Sequence, residues 1–467
     1  MIYNTNMKVG HLLENAKAEE VVNAFLPGVL NAVRNKSQAL ELSVAQLVRY
    51  SRIPGADQVL LRIDEALESL NTPENRISAS ERTLIESFLK LDEEDRRRIH
   101  GKPCHHQDAV YPGQVWLDRC GQRIQAHGGA VIHENGVYYW YGENKEHTDG
   151  KNGIWTWGIK VYSSTDLYNW EDRGFLIPPV LDNPDSPLFP TKRIDRPHIL
   201  RCSATGKYVC WIKLSGPEAA FTIWQSDELL GPYEMVSELY NPGGYKIGDF
   251  DLMADESTGK GYVCFDADHS AMLCMLLSDD YLSAESVVSR SYSGLKPPFT
   301  REAPALFEYR GRKYMITSGM SGYVPNLSDY AAAKDWDCSF LSIGNPHVDD
   351  PSRASFNSQI SKVFRVEGKE GLFIAMADRW LPEYPVDAAR ADMFTRTIAG
   401  TYDRENYHAS DREREEMYQA ISSEKANTSI ADYVWLPFRM TESSDGQCPE
   451  IRIVWQDRWK TDEETAE

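Results

Sequence analysis

The sequence predicts a mainly β protein, a five-bladed β-propeller preceded by a small all-α N-terminal domain. Three observations carry that fold class. First, five times in the last three quarters of the chain a polar residue precedes a glycine-led aromatic strand by 12 to 14 positions: His127 to Tyr139, Asp195 to Tyr208, Asp249 to Tyr262, Glu302 to Tyr314 and Gln359 to Phe373. One supersecondary unit recurring every 53 to 68 residues is the mark of a propeller. Second, residues 7 to 100 lack strand-forming runs and place apolar residues at helical spacing. Third, 467 residues exceed one ordinary domain and suit a large domain with a small companion. The boundaries read as 1–105 for the helical domain and 106–460 for the propeller.

In the helical part, Val21 to Phe25, Leu42 to Leu47 and Val59 to Ile63 carry the apolar faces, with breaks at Leu26-Pro-Gly28, Ile53-Pro-Gly55 and Asn71-Thr-Pro73. Ser78-Ala-Ser-Glu81 has capping-box spacing, which predicts a helix starting there. A turn-rich linker from His100 to Gly113 leads into short strands. Each blade then offers a tight glycine turn before an alternating strand, as in Asn135-Gly-Val-Tyr-Tyr-Trp140 and Arg310-Gly-Arg-Lys-Tyr-Met315. A second echo, Ser164-Thr-Asp-Leu-Tyr-Asn-Trp170, Ser226 to Tyr233 and Ser278 to Leu282, marks the outer turn of a blade. Asp403 to Ala426 is charged and helix-prone, predicting an excursion within the fifth blade, and Ile451 to Trp455 reads as the last strand.

The formal charge of −20 and pI near 5.1 exclude nucleic acid and anionic membranes as partners, since both need basic surface. No basic start followed by an apolar core opens the chain, and no stretch reaches the length of a membrane span, so a cytoplasmic location is expected. The eight cysteines show no CxxC spacing and several sit in strand patterns, which predicts buried free thiols rather than zinc. Aromatic residues are 11% of the chain, with 12 Trp and 24 Tyr, a supply suited both to blade packing and to stacking on sugar rings.

Equivalent strands of all blades meet at one axis, so the five polar positions should converge, and three of them are carboxylates. Asp195, Asp249 and Glu302 crowded in a partly desolvated site must differ in pKa, so one stays protonated near neutrality while another stays ionised. A glycosidic bond needs that division: its leaving oxygen is protonated while water is activated on the opposite face. Glu302 is the expected acid, with the longer reach and with Pro304 biasing the backbone before it toward extended. His127 and Gln359 read equally as core polar groups.

These residues resemble glycoside hydrolase family 43, five-bladed propeller enzymes, and within it the exo-β-1,3-galactanase-like branch. The resemblance covers about residues 114 to 456 and rests on Gln125-Ala-His-Gly-Gly129, Tyr138 to Glu143, Ser164 to Trp170, Asp195-Arg-Pro197, Gly248-Asp249, Glu302-Ala-Pro304, Ser358-Gln359 and Ala377-Asp-Arg-Trp380. It implies inversion, with Glu302 as acid and Asp249 tuning its pKa. The family's usual first-blade aspartate is absent, replaced by Ala126-His127-Gly128. The branch shares that gap, implying water held by Gln359 and a second-blade carboxylate at Asp195, where the branch usually carries Glu. Geometry and resemblance together add His127, Glu143, Trp157, Tyr323, Asn326, Asp378, Arg379 and Trp380 as sugar contacts. No cofactor is expected, and a structural calcium near the axis is left open. The helical part, around Val9 to Glu14 and Leu26-Pro-Gly28, resembles a small module attached to other bacterial glycosidases, with a structural role or homo-oligomerisation as its expected use. The implied activity is release of a terminal galactose-type sugar from β-linked oligosaccharides. Arabinofuranosidase or galactofuranosidase activity, and a non-hydrolytic carbohydrate-binding propeller, are the alternatives.

Overall fold

The computed structural model describes residues 3–464 apart from 52, 54, 72–76, 99–104, 422–425 and 442–448. Features expected at Pro54, at Thr72 and Pro73, in the linker at 100–104, and at Cys104 and Cys448 lie outside the described residues. Two units are distinguished, Met1–Ile99 with Val180–Phe189, and His100–Pro179 with Pro190–Glu467.

The first unit holds helices α1 (Val9–Leu12), α2 (Ala16–Phe25), α3 (Val29–Val33), α4 (Ser37–Leu40), α5 (Val44–Tyr50), α6 (Ala56–Glu68) and α7 (Ala79–Arg97). The apolar stripes of α1 to α6 meet in one cluster that includes Val22, Leu30, Val48, Leu60, Ile63 and Leu67. Ser78 and Glu81 form the expected capping box of α7. Ser43 and Gln46 form a second one on α5, which the sequence reading passed over.

The second unit is a five-bladed propeller of four-stranded antiparallel sheets. Blade 1 contains β1 (His127–Glu134), β2 (Val137–Glu143), β3 (Ile159–Ser164) and β4 (Glu171–Ile177). Blade 2 contains β5 (Ile194–Arg201), β6 (Tyr208–Leu214), β7 (Ala220–Ser226) and β8 (Glu234–Tyr240); blade 3 contains β9 (Ile247–Ala254), β10 (Gly261–Ala267), β11 (Ala271–Leu277) and β12 (Ala284–Ser291). Blade 4 follows with β13 (Arg301–Tyr309), β14 (Arg312–Gly319), β15 (Ser328–Ala333) and β16 (Leu341–Gly344), and blade 5 with β17 (Gln359–Arg365), β18 (Leu372–Arg379), β19 (Asp432–Thr441) and β20 (Glu450–Ile451). The first strands pack in a ring, β1 to β5, β9, β13, β17 and back to β1. Every blade takes four consecutive strands.

The ring is therefore sealed by contacts between the chain before β1 and blade 5. Val110 and Trp459 exchange two backbone hydrogen bonds of 3.0 Å. Arg123 donates to the carbonyls of Ile430 and Ala431 and to Asp432. The Tyr433 hydroxyl donates to the Ile124 carbonyl at 3.0 Å and accepts from the Ala126 amide at 2.9 Å. Trp116, Trp140 and Trp435 pack around these groups edge to face.

Each first strand carries an irregularity, and in four of them it lies at the polar residue. Pairing skips between His127 and Ala130, between Asp195 and His198, and between Glu302 and Ala305. In blade 3 the skip falls across Gly248 and Asp249, because Phe265 and Ala267 pair with Phe250 and Ile247. In blade 5 it follows two residues after Gln359, between Ile360 and Lys362. Such bulges bend a strand and re-aim a side chain. The residue after the polar one is left-handed in three blades, with φ of 63° at Gly128, 51° at Arg196 and 52° at Ala303. This corrects the expectation for Glu302-Ala303-Pro304: the bulge, not the proline, sets the backbone before Pro304.

Three other expectations are corrected. Cys264 and Cys274 face each other on β10 and β11, with Cα atoms 4.1 Å apart, and form a disulfide because the antiparallel register puts both sulfurs on one face. The blade 5 excursion begins earlier than Asp403, with α8 (Ala388–Tyr402) and α9 (Asp411–Ile421); Met393 and Phe394 of α8 pack against Val324 and Val386. The last strand ends at Ile451, since Ile453 leaves the sheet to bridge His347 and is buried in the core.

Candidate active site

At the inner ends of the first strands a cavity of about 390 Å³ is lined by Asp195, Asp249, Glu302 and Gln359 together with Glu143, Tyr323 and Trp380. That size and mixed lining suit a sugar. Four of the five axial positions thus converge.

The four differ sharply in electrostatics. Asp249 accepts from Lys213 Nζ at 2.5 Å through Oδ1 and pairs with Arg196 Nε at 2.9 Å through Oδ2. Burial alone would raise its pKa, but the Arg196 and Lys213 cations outweigh that and hold the carboxyl below the usual range. Glu302 is pushed up to about 8, first by burial and then by the negative charge of Asp249. Its Oε1 accepts from Gln359 Nε2 at 3.1 Å. The same Gln359 amide donates to Ser318 Oγ at 2.9 Å and accepts from Arg196 Nη2 at 2.6 Å, which fixes its orientation. Asp195 accepts from Trp155 Nε1 at 2.7 Å and from the Ser215 hydroxyl, with Lys213 Nζ 3.6 Å away. Glu143 is buried against Lys145 at 2.6 Å, accepts from the Arg196 backbone amide at 2.8 Å, and is raised to about 7, chiefly by burial. One neutral acid and one fixed anion therefore stand side by side at neutral pH, the division that acid-assisted cleavage of a glycosidic bond requires.

Residues 125–339 match the family model described as glycosyl hydrolases family 43. Over those residues the propeller resembles the enzymes of glycoside hydrolase family 43. Among solved structures, a family 43 β-1,3-galactosidase is 27% identical with a TM-score of 0.59, over 76% of this chain and 64% of that one. The chain thus spans under two thirds of that relative. A second family 43 β-1,3-galactosidase, solved with galactodeoxynojirimycin, is 25% identical with a TM-score of 0.58, over 75% of this chain and 100% of the other. An exo-β-1,3-galactanase from Phanerochaete chrysosporium, solved with galactose, shares the fold at 20% identity and a TM-score of 0.58, over 76% and 68% of the two chains. No curated protein matches the chain.

Of the expected sugar contacts, Glu143, Tyr323 and Trp380 line this cavity, whereas His127, Trp157, Asn326, Asp378 and Arg379 do not; Asn326 and Asp378 line a smaller pocket beside Gln359 and Trp380. His127 is fully buried: its bulge turns the ring inward onto Tyr433, stacked at 4.8 Å, and Nδ1 lies 2.9 Å from Asp378 Oδ1. Burial lowers its pKa. The other oxygen of Asp378 accepts from the Gly128 amide at 2.9 Å, so this carboxylate is committed to positioning blade 1. Arg379 points away, donating to the Phe356 carbonyl and lying over Trp455. Asn326 accepts from the Leu327 amide and packs against Gly319. Trp157 is buried edge-on to His147; its neighbour Trp155 reaches the cavity instead. Trp155 stacks on Tyr323 at 6.1 Å, and Tyr323 meets Trp380 at 5.1 Å, giving an aromatic wall.

The sequence reading assigned no role to Arg196, Lys213, Trp155 or His269, all of which line the cavity. A signal existed for Lys213, a lone cation at the end of the apolar run Tyr208-Val-Cys-Trp-Ile212. Arg196 stood inside the Asp195-Arg-Pro197 match, but only the bulge shows that its guanidinium turns to the axis. Among the described residues no group of three or more His, Cys, Asp or Glu side chains could hold a metal ion.

Proposed function

We propose that this protein is an inverting glycoside hydrolase that releases a terminal galactose-type sugar from β-linked oligosaccharides, with Glu302 as general acid. The observation that carries the proposal is the Glu302 carboxyl, pushed up to about 8 by burial and by Asp249, beside an Asp249 kept ionised by two cations. In this mechanism Glu302 gives its proton to the leaving oxygen as the C–O bond breaks, and Asp249 keeps that proton in place until then. Gln359, locked by Arg196 and Ser318, holds the Glu302 carboxyl in register. Asp195 takes the proton of the attacking water on the opposite face, because its side chain is 15% exposed and its cation lies 3.6 Å off, where that of Glu143 is 2% exposed and paired at 2.6 Å. The galactose-type sugar is supported by the two β-1,3-galactosidases of similar fold at 27% and 25% identity.

The test is hydrolysis of aryl glycosides and β-1,3-galacto-oligosaccharides by the wild type and Glu302→Gln, with the anomer of the fresh product followed by NMR. The expected result is an inverted sugar from the wild type and a loss of about 10² to 10⁴ in the variant, smaller for aryl leaving groups that need less protonation. A retained anomer, or a variant as active as wild type on oligosaccharides, would remove Glu302 from this role. Sugar binding without any turnover would favour a carbohydrate-binding propeller.

A further inference from the structure

We infer that His269, fixed in place by Asp266, binds a hydroxyl of the departing sugar on the leaving-oxygen side of the cleavage site. The inference rests on Glu302 being the acid.

His269 lies in the short turn between β10 and β11 and lines the same cavity as Glu302, Asp249 and Lys213. Both Asp268 and His269 are left-handed, with φ of 55° and 52°, a conformation costly for two successive residues other than glycine and one that clusters at functional sites. Nδ1 is hydrogen-bonded to Asp266 Oδ2, which leaves Nε2 as the remaining polar atom of the ring. The imidazole is 56% exposed, whereas the Asp266 side chain is 1% exposed. A buried carboxylate behind an exposed ring fixes orientation and favours a protonated, donating imidazole; the pKa of His269 is accordingly raised, first by the Asp266 hydrogen bond.

The dyad is tied to the acid site by backbone geometry. A Cβ on Gly248 would lie 2.2 Å from Asp266 Oδ2, so the glycine preceding Asp249 is what lets this carboxylate sit there. Glu302 is also within electrostatic reach of the His269 ring. The departing sugar hangs from the oxygen that Glu302 protonates, and the water enters from the face of Asp195. Trp155, Tyr323 and Glu143 line the part of the cavity next to Asp195, which accepts from Trp155. His269 belongs to blade 3 with Asp249, and among the forces on its ring are the charges of Asp266 and Glu302. A neutral sugar hydroxyl accepting from an imidazolium makes a charge-assisted hydrogen bond.

The first assay compares kcat/KM for β-1,3-galactobiose and for an aryl galactoside, which has no departing sugar, in wild type, His269→Ala and His269→Gln. The disaccharide-to-aryl ratio is expected to fall about tenfold in His269→Ala, the loss of one such bond, and to recover in part in His269→Gln, which keeps a donor. The second assay measures galactobiose and galactose binding by calorimetry in Glu302→Gln, with and without His269→Ala. A weakening about tenfold for the disaccharide and smaller for galactose supports the inference. Equal changes for both ligands, or none, overturn it while leaving Glu302 as the acid. No turnover by the wild type removes the acid assignment, and the binding comparison still decides His269.

Discussion

The pKa of Glu302 has two consequences of opposite kind. Because the acid must be protonated to act, kcat/KM should fall as pH rises through about 8, the value to which burial and Asp249 push it. A pH–rate profile on an oligosaccharide checks this. The same shift acts against folding. The native carboxyl binds its proton up to about 8 while the unfolded one releases it near 4.5, so stability falls with pH across that window. Glu302→Gln should therefore gain on the wild type as pH rises from 4.5 to 8, read as a widening gap in melting temperature. The place of Glu302 at the cavity was legible in the sequence because its blade repeats: a polar residue, a strand, a glycine turn. Arg196 was not, because its guanidinium gains meaning only once the β5 bulge aims it at Asp249, and Lys213, though marked as a lone cation ending an apolar run, gains its partner only when blade 3 is placed beside β6.

At the level of elements, the working parts are the irregular starts of the first strands. Gly129 in β1 permits such a start. A Cβ there would fall 1.9 Å from the Tyr141 carbonyl oxygen and 2.8 Å from Gly142 Cα of β2, backbone atoms that cannot swing aside as a side chain would. Gly129→Ala should destabilise by about 3 kcal/mol, the upper range for overpacking, and denaturant melts measure it. Periodicity reads strands well and bulges poorly: an inserted residue breaks alternation by one, and one extra apolar or polar position does not stand out in eight residues. That is also why Trp157 was expected in the cavity and Trp155 was found there. The phase of an aromatic near the start of β3 cannot be counted back through an irregular loop. The expectation that His127 faces the axis failed for the same reason, since the Gly128–Gly129 bulge turns it into the core.

For the whole molecule, five sheets share one axis, and beneath the cavity that axis is pinned by charge. Lys362 of β17 reaches Asp251 of β9 at 2.6 Å and the Leu252 carbonyl at 3.0 Å, and Asp251 also accepts from the Leu306 amide of β13 at 2.7 Å. Asp251 is 0% exposed. Lys362→Met would strand that carboxylate, and a loss of about 3 to 5 kcal/mol in urea unfolding is expected, against little change for Lys369→Met at a turn. The number of blades and their order were readable from the repeat. How the ring closes was not, because its closing contacts join residues more than 300 positions apart. Since among the described residues no strand is exchanged between blades 1 and 5, the propeller is a split washer rather than a welded hoop. Pulled by its ends, it should part first at the Arg123–Asp432 and Val110–Trp459 seam, leaving the blades and their acids intact as an opened arc.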